Sequence, residues 1–266
     1  MITMNGNPIE IGSFPDGTIL IKSINYSTTT IEWKYENDRE FLALIYLVKH
    51  LRAIGYTRLE LCMPYIPNAR MDRVKSVYED VFTLKYFAEL LNSLKFDRVI
   101  VRDPHSDVSA ALINNICITT AGHYVKEAIF RMAEKEGVDT DSIFVFYPDA
   151  GSAKRYSDML QRYYIYGNKK RDWKTGQIVG LDIVDNGFDL TDKDILIVDD
   201  ICSRGGTFLH SAKKLKELGA KDIYLYVSHC ENTILEGELL TSGLIKKVYT
   251  TDSIFTKSHE LIEVLK

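Results

Sequence analysis

Apolar positions along the chain switch repeatedly between a helical period and short continuous runs. Residues 38–54 carry the helical period, with Asp38 as the expected N-cap and Gly55 as the stop. Residues 58–63 form a short apolar run of strand type. Ser76-Val77-Tyr78-Glu79 has the spacing of a capping box and predicts a helix from there to about Lys95. A strand over 97–102, a short helix over 108–114 and a helix over 125–136 ended by Gly137 follow, then a strand over 142–147. The second half repeats this grammar. A polar, basic stretch over 167–176 predicts a mobile loop, and 194–198 (DILIV) predicts a buried parallel strand. A helix over 205–218 ended by Gly219, a strand over 222–227, a helix over 232–240 and a strand over 247–250 complete the reading. This alternation predicts an α/β fold with mainly parallel central sheets flanked by helices.

Composition narrows the class without naming a chemistry. The 266 residues suit two domains, and the softest division falls near residue 120, giving 1–121 and 122–266. No run approaches about 18 apolar residues, so no membrane-spanning helix is expected. Residues 1–12 lack the basic head and apolar run of a secretory signal. A net charge of −4 argues against a nucleic-acid binder driven by bulk charge. Cys62, Cys117, Cys202 and Cys230 are far apart, so neither a disulfide framework nor a structural zinc site is expected, and a cytoplasmic location is the default.

The strongest motif is Ile197-Val198-Asp199-Asp200-Ile201-Cys202-Ser203-Arg204-Gly205-Gly206-Thr207. Here an apolar strand is expected to end in two acids, and a loop with paired glycines opens a helix. Ligands in open α/β sheets collect at the C-terminal ends of strands. Glycines let backbone N–H groups approach a phosphate, and a helix N-terminus adds partial positive charge. Adjacent carboxylates can hold vicinal ribose hydroxyls or a hydrated Mg²⁺.

This segment resembles the PRPP-binding loop of the phosphoribosyltransferase fold. Four further segments resemble those of the ribose-phosphate pyrophosphokinases: Phe14-Pro15-Asp16-Gly17, the run from Pro64 to Arg73 (PYIPNARMDR), Arg102-Asp103-Pro104-His105, and Pro148-Asp149-Ala150-Gly151-Ser152-Ala153-Lys154-Arg155. The resemblance implies two phosphoribosyltransferase-like domains and a Mg²⁺-dependent transfer of pyrophosphate from ATP to a sugar hydroxyl. It assigns ATP contacts to Phe14, Asp16, Gly17, Thr18, Arg70, Met71, Asp72 and His105, and Mg²⁺–ATP binding to His105 and Asp149. Asp199, Asp200, Cys202, Ser203, Arg204, Gly205, Gly206 and Thr207 would bind the sugar phosphate. Lys169 and Arg171, in the basic stretch, would stabilise charge on the transferring phosphates. The acceptor is ribose 5-phosphate or, as in compact phage-type relatives, ADP-ribose, whose product serves NAD⁺ synthesis. A homo-oligomer is also implied, and a host cytoplasm if the chain is phage-encoded.

Plainer roles stand beside these. Asp16 suits a turn, Arg70 an ion pair with Asp72, His105 a structural hydrogen bond and Asp149 a helix N-cap. His105 and Asp149 are each expected to follow strands that end at one sheet edge or cleft. Thr18, Met71, Lys75 and Ser203-Arg204 depart from the family pattern. Arg204 would contact a second phosphate on the acceptor or point outward. The chain also looks short at both ends relative to the family, where regulation and assembly usually reside. Two other classes fit less of the chain: a PRPP-consuming phosphoribosyltransferase and a non-catalytic regulatory homologue.

Overall fold

The computed structural model describes residues 1–22, 28–74, 80–171, 178–185 and 187–266. They form two compact units, Met1–Thr120 and Ala121–Lys266.

The first unit opens with short strands β1 (Ile2–Met4) and β2 (Asn7–Pro8) and the hairpin β3 (Glu10–Ser13) and β4 (Ile19–Lys22). Then come β5 (Thr30–Trp33), α1 (Asp38–Ala53), β6 (Glu60–Cys62), α2 (Thr83–Ser93), β7 (Arg98–Arg102), α3 (Asp107–Leu112) and β8 (Ile116–Thr119). Its sheet has the order β2-β1-β5-β6-β7-β8, parallel from β5 to β8, while β3 and β4 make a sheet of their own. Leu44, Leu47, Val48 and Leu51 of α1 are buried in a core with Leu61, Val99 and Val101 of the strands. Asn37, one residue before the expected cap, takes the N-cap position of α1. The capping box at 76–79 lies outside the described residues. Residues 80–82 are not helical, and α2 starts only at Thr83, after Phe82.

The second unit runs α4 (Gly122–Glu136), β9 (Phe144–Tyr147), α5 (Ala150–Leu160), β10 (Tyr164–Arg171), β11 (Ile178–Val184), β12 (Ile195–Cys202), α6 (Gly206–Glu217), β13 (Ile223–Cys230), β14 (Lys247–Thr251) and β15 (Ile262–Leu265). Its seven strands have the order β11-β10-β9-β12-β13-β14-β15, and all neighbours are parallel except β10 and β11. All eight residues of β13 are buried, because cores lie on both faces of the sheet.

Three expectations need correction. Residues 167–171 are strand, not loop: β10 pairs with β9 as far as Tyr166 and continues in antiparallel register with β11, Gly167 opposite Ile183 and Arg171 opposite Ile178. The stretch is polar because the two-stranded ribbon extends beyond the neighbouring strand β9. The strand at 194–198 does not end at its acids but runs through Asp199 and Asp200 to Cys202, paired with β13. The helix expected over 232–240 is a single 3-10 turn, Asn232–Glu236, which ends as Gly237 turns extended.

Candidate functional site

In the first unit, two of the motifs meet at the C-terminal ends of β6 and β7. Met63 donates its N–H to Ile100 and Arg102 donates to Pro64, at 2.8 and 3.0 Å, which ties the segment bearing Arg70, Met71 and Asp72 to the turn bearing His105. Arg70 and Met71 are exposed there, and Asp72 lies 3.9 Å from Arg73. Asp103 is buried with φ at 39°, a left-handed conformation costly for a residue with a Cβ. Its N–H reaches Thr119 at 2.9 Å, so the strained turn that presents half-buried His105 is anchored to β8. Phe14 to Thr18 form the tip of the β3–β4 hairpin. Asp16 fills the plain role of a turn residue, its Oδ1 accepting from the N–H and hydroxyl of Thr18 at 3.0 and 2.7 Å, which holds its carboxyl below the usual range. Gly17 takes a left-handed φ beside it, and Phe14 is half exposed.

The second unit gathers the acids. Asp149 caps α5, its Oδ1 accepting from the Ser152 N–H at 3.0 Å, as the plain reading of that residue required. The Ser152 hydroxyl, 3.3 Å from the same oxygen, donates to Asp199 at 2.7 Å. Asp200 accepts from Arg155 at 3.0 Å and from the N–H of Ile201 at 2.9 Å. One helix, α5, therefore holds both carboxylates of β12. His105 and Asp149 follow strands of different sheets, β7 and β9, so the expected shared sheet edge is not what forms.

Burial dominates the electrostatics. It pushes the Asp199 carboxyl up to about 7, with the charges of Asp200 and Asp149 adding to the effect and the Ser152 hydrogen bond opposing it. Arg155 would be lowered by burial, but Tyr156 and Asp200 beside it raise it above its ordinary value. Arg155 thus sets a fixed cation against Asp200, while burial beside Asp200 favours the protonated form of Asp199. Because the folded carboxyl titrates near 7 and the unfolded one near 3.9, the folded state retains a proton that the unfolded chain has lost. This contribution is complete below the unfolded pKa and lost as pH rises through about 7. Urea midpoints of the ligand-free protein should therefore fall between about pH 4 and 7, and Asp199→Asn should flatten that slope. An unchanged slope in the variant would place the proton elsewhere.

The loop after β12 can receive an anion. Gly205 takes the N-cap position of α6 at φ 79°, and no side chain caps the helix. The first-turn N–H groups of α6 are thus left for a ligand. Gly206 is exposed and a Cβ there would meet nothing within 4 Å, leaving room for close approach. Ser203 and Thr207 are half buried. Cys202 is fully buried, and its thiol, raised by the neighbouring Cys230 and by burial, turns to the Ser203 carbonyl at 3.3 Å. Its side chain is core. Arg204 is the outward-pointing residue of the plain reading, 71% exposed and 3.0 Å from Glu236. Lys169 and Arg171 lie in the ribbon of β10 with β11, with a register shift between Lys170 and Arg171.

Sequence reasoning passed over Ser152, Arg155 and His229. The first two lie three residues apart within Pro148–Arg155, a helical spacing that puts them on one face. His229, opposite Ile201 on β13, is buried with Nδ1 2.9 Å from the Ser253 hydroxyl.

Comparison with known proteins now bears on this arrangement. A model of the phosphoribosyl transferase domain matches residues 149–254, which hold the acids and the anion loop. Over 264 residues the chain is 30% identical to a ribose-phosphate pyrophosphokinase of Clostridium perfringens, covering 92% of this chain and 77% of that one. The chain belongs to the ribose-phosphate pyrophosphokinase family. It is an enzyme of that type. The family member of Pyrococcus abyssi is 29% identical over 268 residues, covering 96% and 88% of the two chains. The solved phosphoribosylpyrophosphate synthetase of Mycobacterium smegmatis superimposes with a TM-score of 0.76 over 97% of this chain and 85% of that one. At 17% identity that likeness speaks to the fold. Among the described residues no helix is long and apolar enough to cross a membrane.

Proposed function

We propose that this ribose-phosphate pyrophosphokinase moves the β,γ-pyrophosphoryl group of ATP to the C1 hydroxyl of ribose 5-phosphate, giving PRPP and AMP. The observation that carries this is an uncapped helix N-terminus shortly after two adjacent carboxylates that Ser152 and Arg155 hold in place. The 5-phosphate would sit on the N–H groups of residues 203–207. Asp199 and Asp200 would accept from the ribose hydroxyls with lone pairs that Ser152 and Arg155 leave over. The C1 oxygen then bonds to the β-phosphorus and gives its proton up to water, the bond from that phosphorus to the α-phosphate oxygen breaks, and AMP leaves. Such transfers depend on positioning and on neutralising charge. Lys169 and Arg171 supply cations for that purpose, and Arg70 and His105 contact ATP in this reading.

Among the described residues no three His, Cys, Asp or Glu side chains are grouped to hold a metal by themselves. Mg²⁺ keeps waters and substrate phosphates and takes only one or two protein oxygens. The family resemblance names Asp149 as an oxygen donor that would hold such an ion and His105 as a residue that would bind the Mg²⁺–ATP. Bound there with ATP, Mg²⁺ would neutralise phosphate charge.

The acceptor has a second reading. Arg204 stands exposed beside the anion loop, and an exposed ion pair such as that with Glu236 contributes only about 0–1 kcal/mol. Its guanidinium is therefore cheaply released to a second phosphate, as in ADP-ribose. Mass spectrometry of products from ATP, Mg²⁺ and each sugar in parallel tests both readings. AMP with PRPP supports the first, AMP with ADP-ribose 1-pyrophosphate the second, and no AMP with either sinks both. Release of pyrophosphate from PRPP and a nucleobase without ATP would mark a phosphoribosyltransferase instead. Arg204→Thr should weaken an ADP-ribose reaction by about tenfold or more and a ribose 5-phosphate reaction far less. Equal effects on both would remove Arg204 from acceptor choice. A homo-oligomer belongs to the same proposal, and light scattering tests it.

A further inference from the structure

Gly237 follows the 3-10 turn Asn232–Glu236 with φ −93° and ψ 171°, an extended conformation open to any residue. Its backbone angles therefore do not demand glycine. Its surroundings do. A Cβ at 237 would stand 1.9 Å from the carbonyl oxygen of Arg204, 2.8 Å from its carbonyl carbon and 3.1 Å from its Cα. All three are backbone atoms of the anion loop, so no side chain can swing aside. A carbon rests about 3.3 Å or more from a carbonyl oxygen, so alanine would drive the two backbones apart by about 1.4 Å.

The same segment touches the loop at three other points. The Glu231 N–H donates to the Cys202 carbonyl at 2.8 Å. Leu239 fills the space beside Gly205, where a Cβ would come within 2.7 Å of its Cδ2. Glu236 pairs with Arg204 at 3.0 Å. Residues 202, 204 and 205 are thus each met by a residue from 231–239, while the N–H groups of the first turn of α6 stay open. A wall behind a loop whose front is vacant of caps is a template for the loop's shape.

We propose that Glu231, Gly237 and Leu239 set the geometry of the anion loop and that Gly237 is a positioning residue for the sugar phosphate. The inference rests on reading residues 203–207 as the cradle of the 5-phosphate. Gly237 touches no substrate; it acts through the Arg204 carbonyl. Displacing a phosphate cradle by about 1 Å costs binding and alignment steeply. ATP contacts assigned to the first unit would not feel the change.

The test compares the full-length protein with Gly237→Ala and with Glu238→Ala, an exposed neighbour, as control. In Gly237→Ala, KM for ribose 5-phosphate should rise about tenfold or more, with KM for ATP unchanged. The control should match the parent. A Gly237→Ala protein with the parent's KM for ribose 5-phosphate, or with both KM values raised together, overturns the proposal. If that variant does not fold, Leu239→Val trims the same wall and should give a smaller rise, again confined to the sugar phosphate; no rise overturns it. Calorimetry with inorganic phosphate separates this proposal from the assigned reaction. If the parent forms no AMP yet binds phosphate more tightly than Gly237→Ala, the loop's positioning stands and the reaction fails. If the two bind phosphate equally, or neither binds it, the positioning role fails.

Discussion

Lys169→Ala is expected to lower kcat by about 10²- to 10³-fold while KM for ATP stays within about twofold. The expected split follows from timing. A cation that meets charge developing on the transferring phosphates acts in the transition state more than in the bound ground state. Arg171→Ala should act in the same direction, and the double variant should lose less than the product of the two effects, because both cations serve one developing charge. Lys169→Arg should recover only part of the rate, since a planar fork does not reproduce a compact ammonium. Steady-state rates of AMP formation check all three. Turnover of Lys169→Ala at the parent's rate would remove the ribbon from catalysis. The ribbon is a better platform than the loop expected there, because a hydrogen-bonded strand pair fixes the backbone from which Lys169 extends.

The alternation of elements was legible because parallel strands buried on both faces read as continuous apolar runs. Ile195–Val198 and Ile223–Val227 are such runs, and both lie in the middle of the sheet. Strand ends were harder. Asp199, Ile201 and Cys202 keep pairing with β13 and so extend β12 after its sequence has ceased to look like a strand. The short strands β1 to β5 went unread for the opposite reason. They are two to four residues long and, apart from β5 with β6, pair antiparallel, so few positions carry a period. A helix was expected over 232–240 from composition, and Gly237 explains why it fails: the chain there must lie flat against the Arg204 carbonyl.

The site was legible where the chemistry sits in contiguous residues. Asp199 to Thr207 and Pro148 to Arg155 are each a strand end joined to a helix start, the place where open α/β sheets collect ligands. What the sequence did not display is division of labour among residues already in view. The adjacent acids were read as equivalent, yet Arg155 donates to Asp200 and Ser152 to Asp199. Nothing at 231–239 looks like a ligand site. Its role comes from a contact across 33 positions of chain, which local spacing does not encode.

Removing Arg155 should have the largest effect on stability. Asp200 is buried, its side chain 8% exposed, and Arg155 is its cationic partner at 3.0 Å. Without that partner two adjacent carboxylates would share a buried site, and Asp199 already holds its proton up to about 7 partly because of Asp200's charge. Breaking a buried pair costs about 3–5 kcal/mol, and the lower end applies because Arg155 is 31% exposed. At about 2–4 °C per kcal/mol for a chain of this size, Tm should fall by roughly 6–12 °C. Arg155 also lies over the Tyr156 ring at 5.6 Å, so lost packing must be separated from lost charge. Arg155→Met keeps the stem and loses the cation, and it should retain most of the fall seen with Arg155→Ala. Adding Asp200→Asn to Arg155→Met removes the stranded charge and should restore much of the Tm, with little turnover, because the neutral amide cannot accept a ribose hydroxyl on both of its polar atoms. Recovery of stability without recovery of rate would show that the stranded Asp200 carboxylate causes the loss of stability and that the carboxylate itself serves turnover. A parent-like Tm in Arg155→Met would mean that water, rather than this pair, already solvates Asp200.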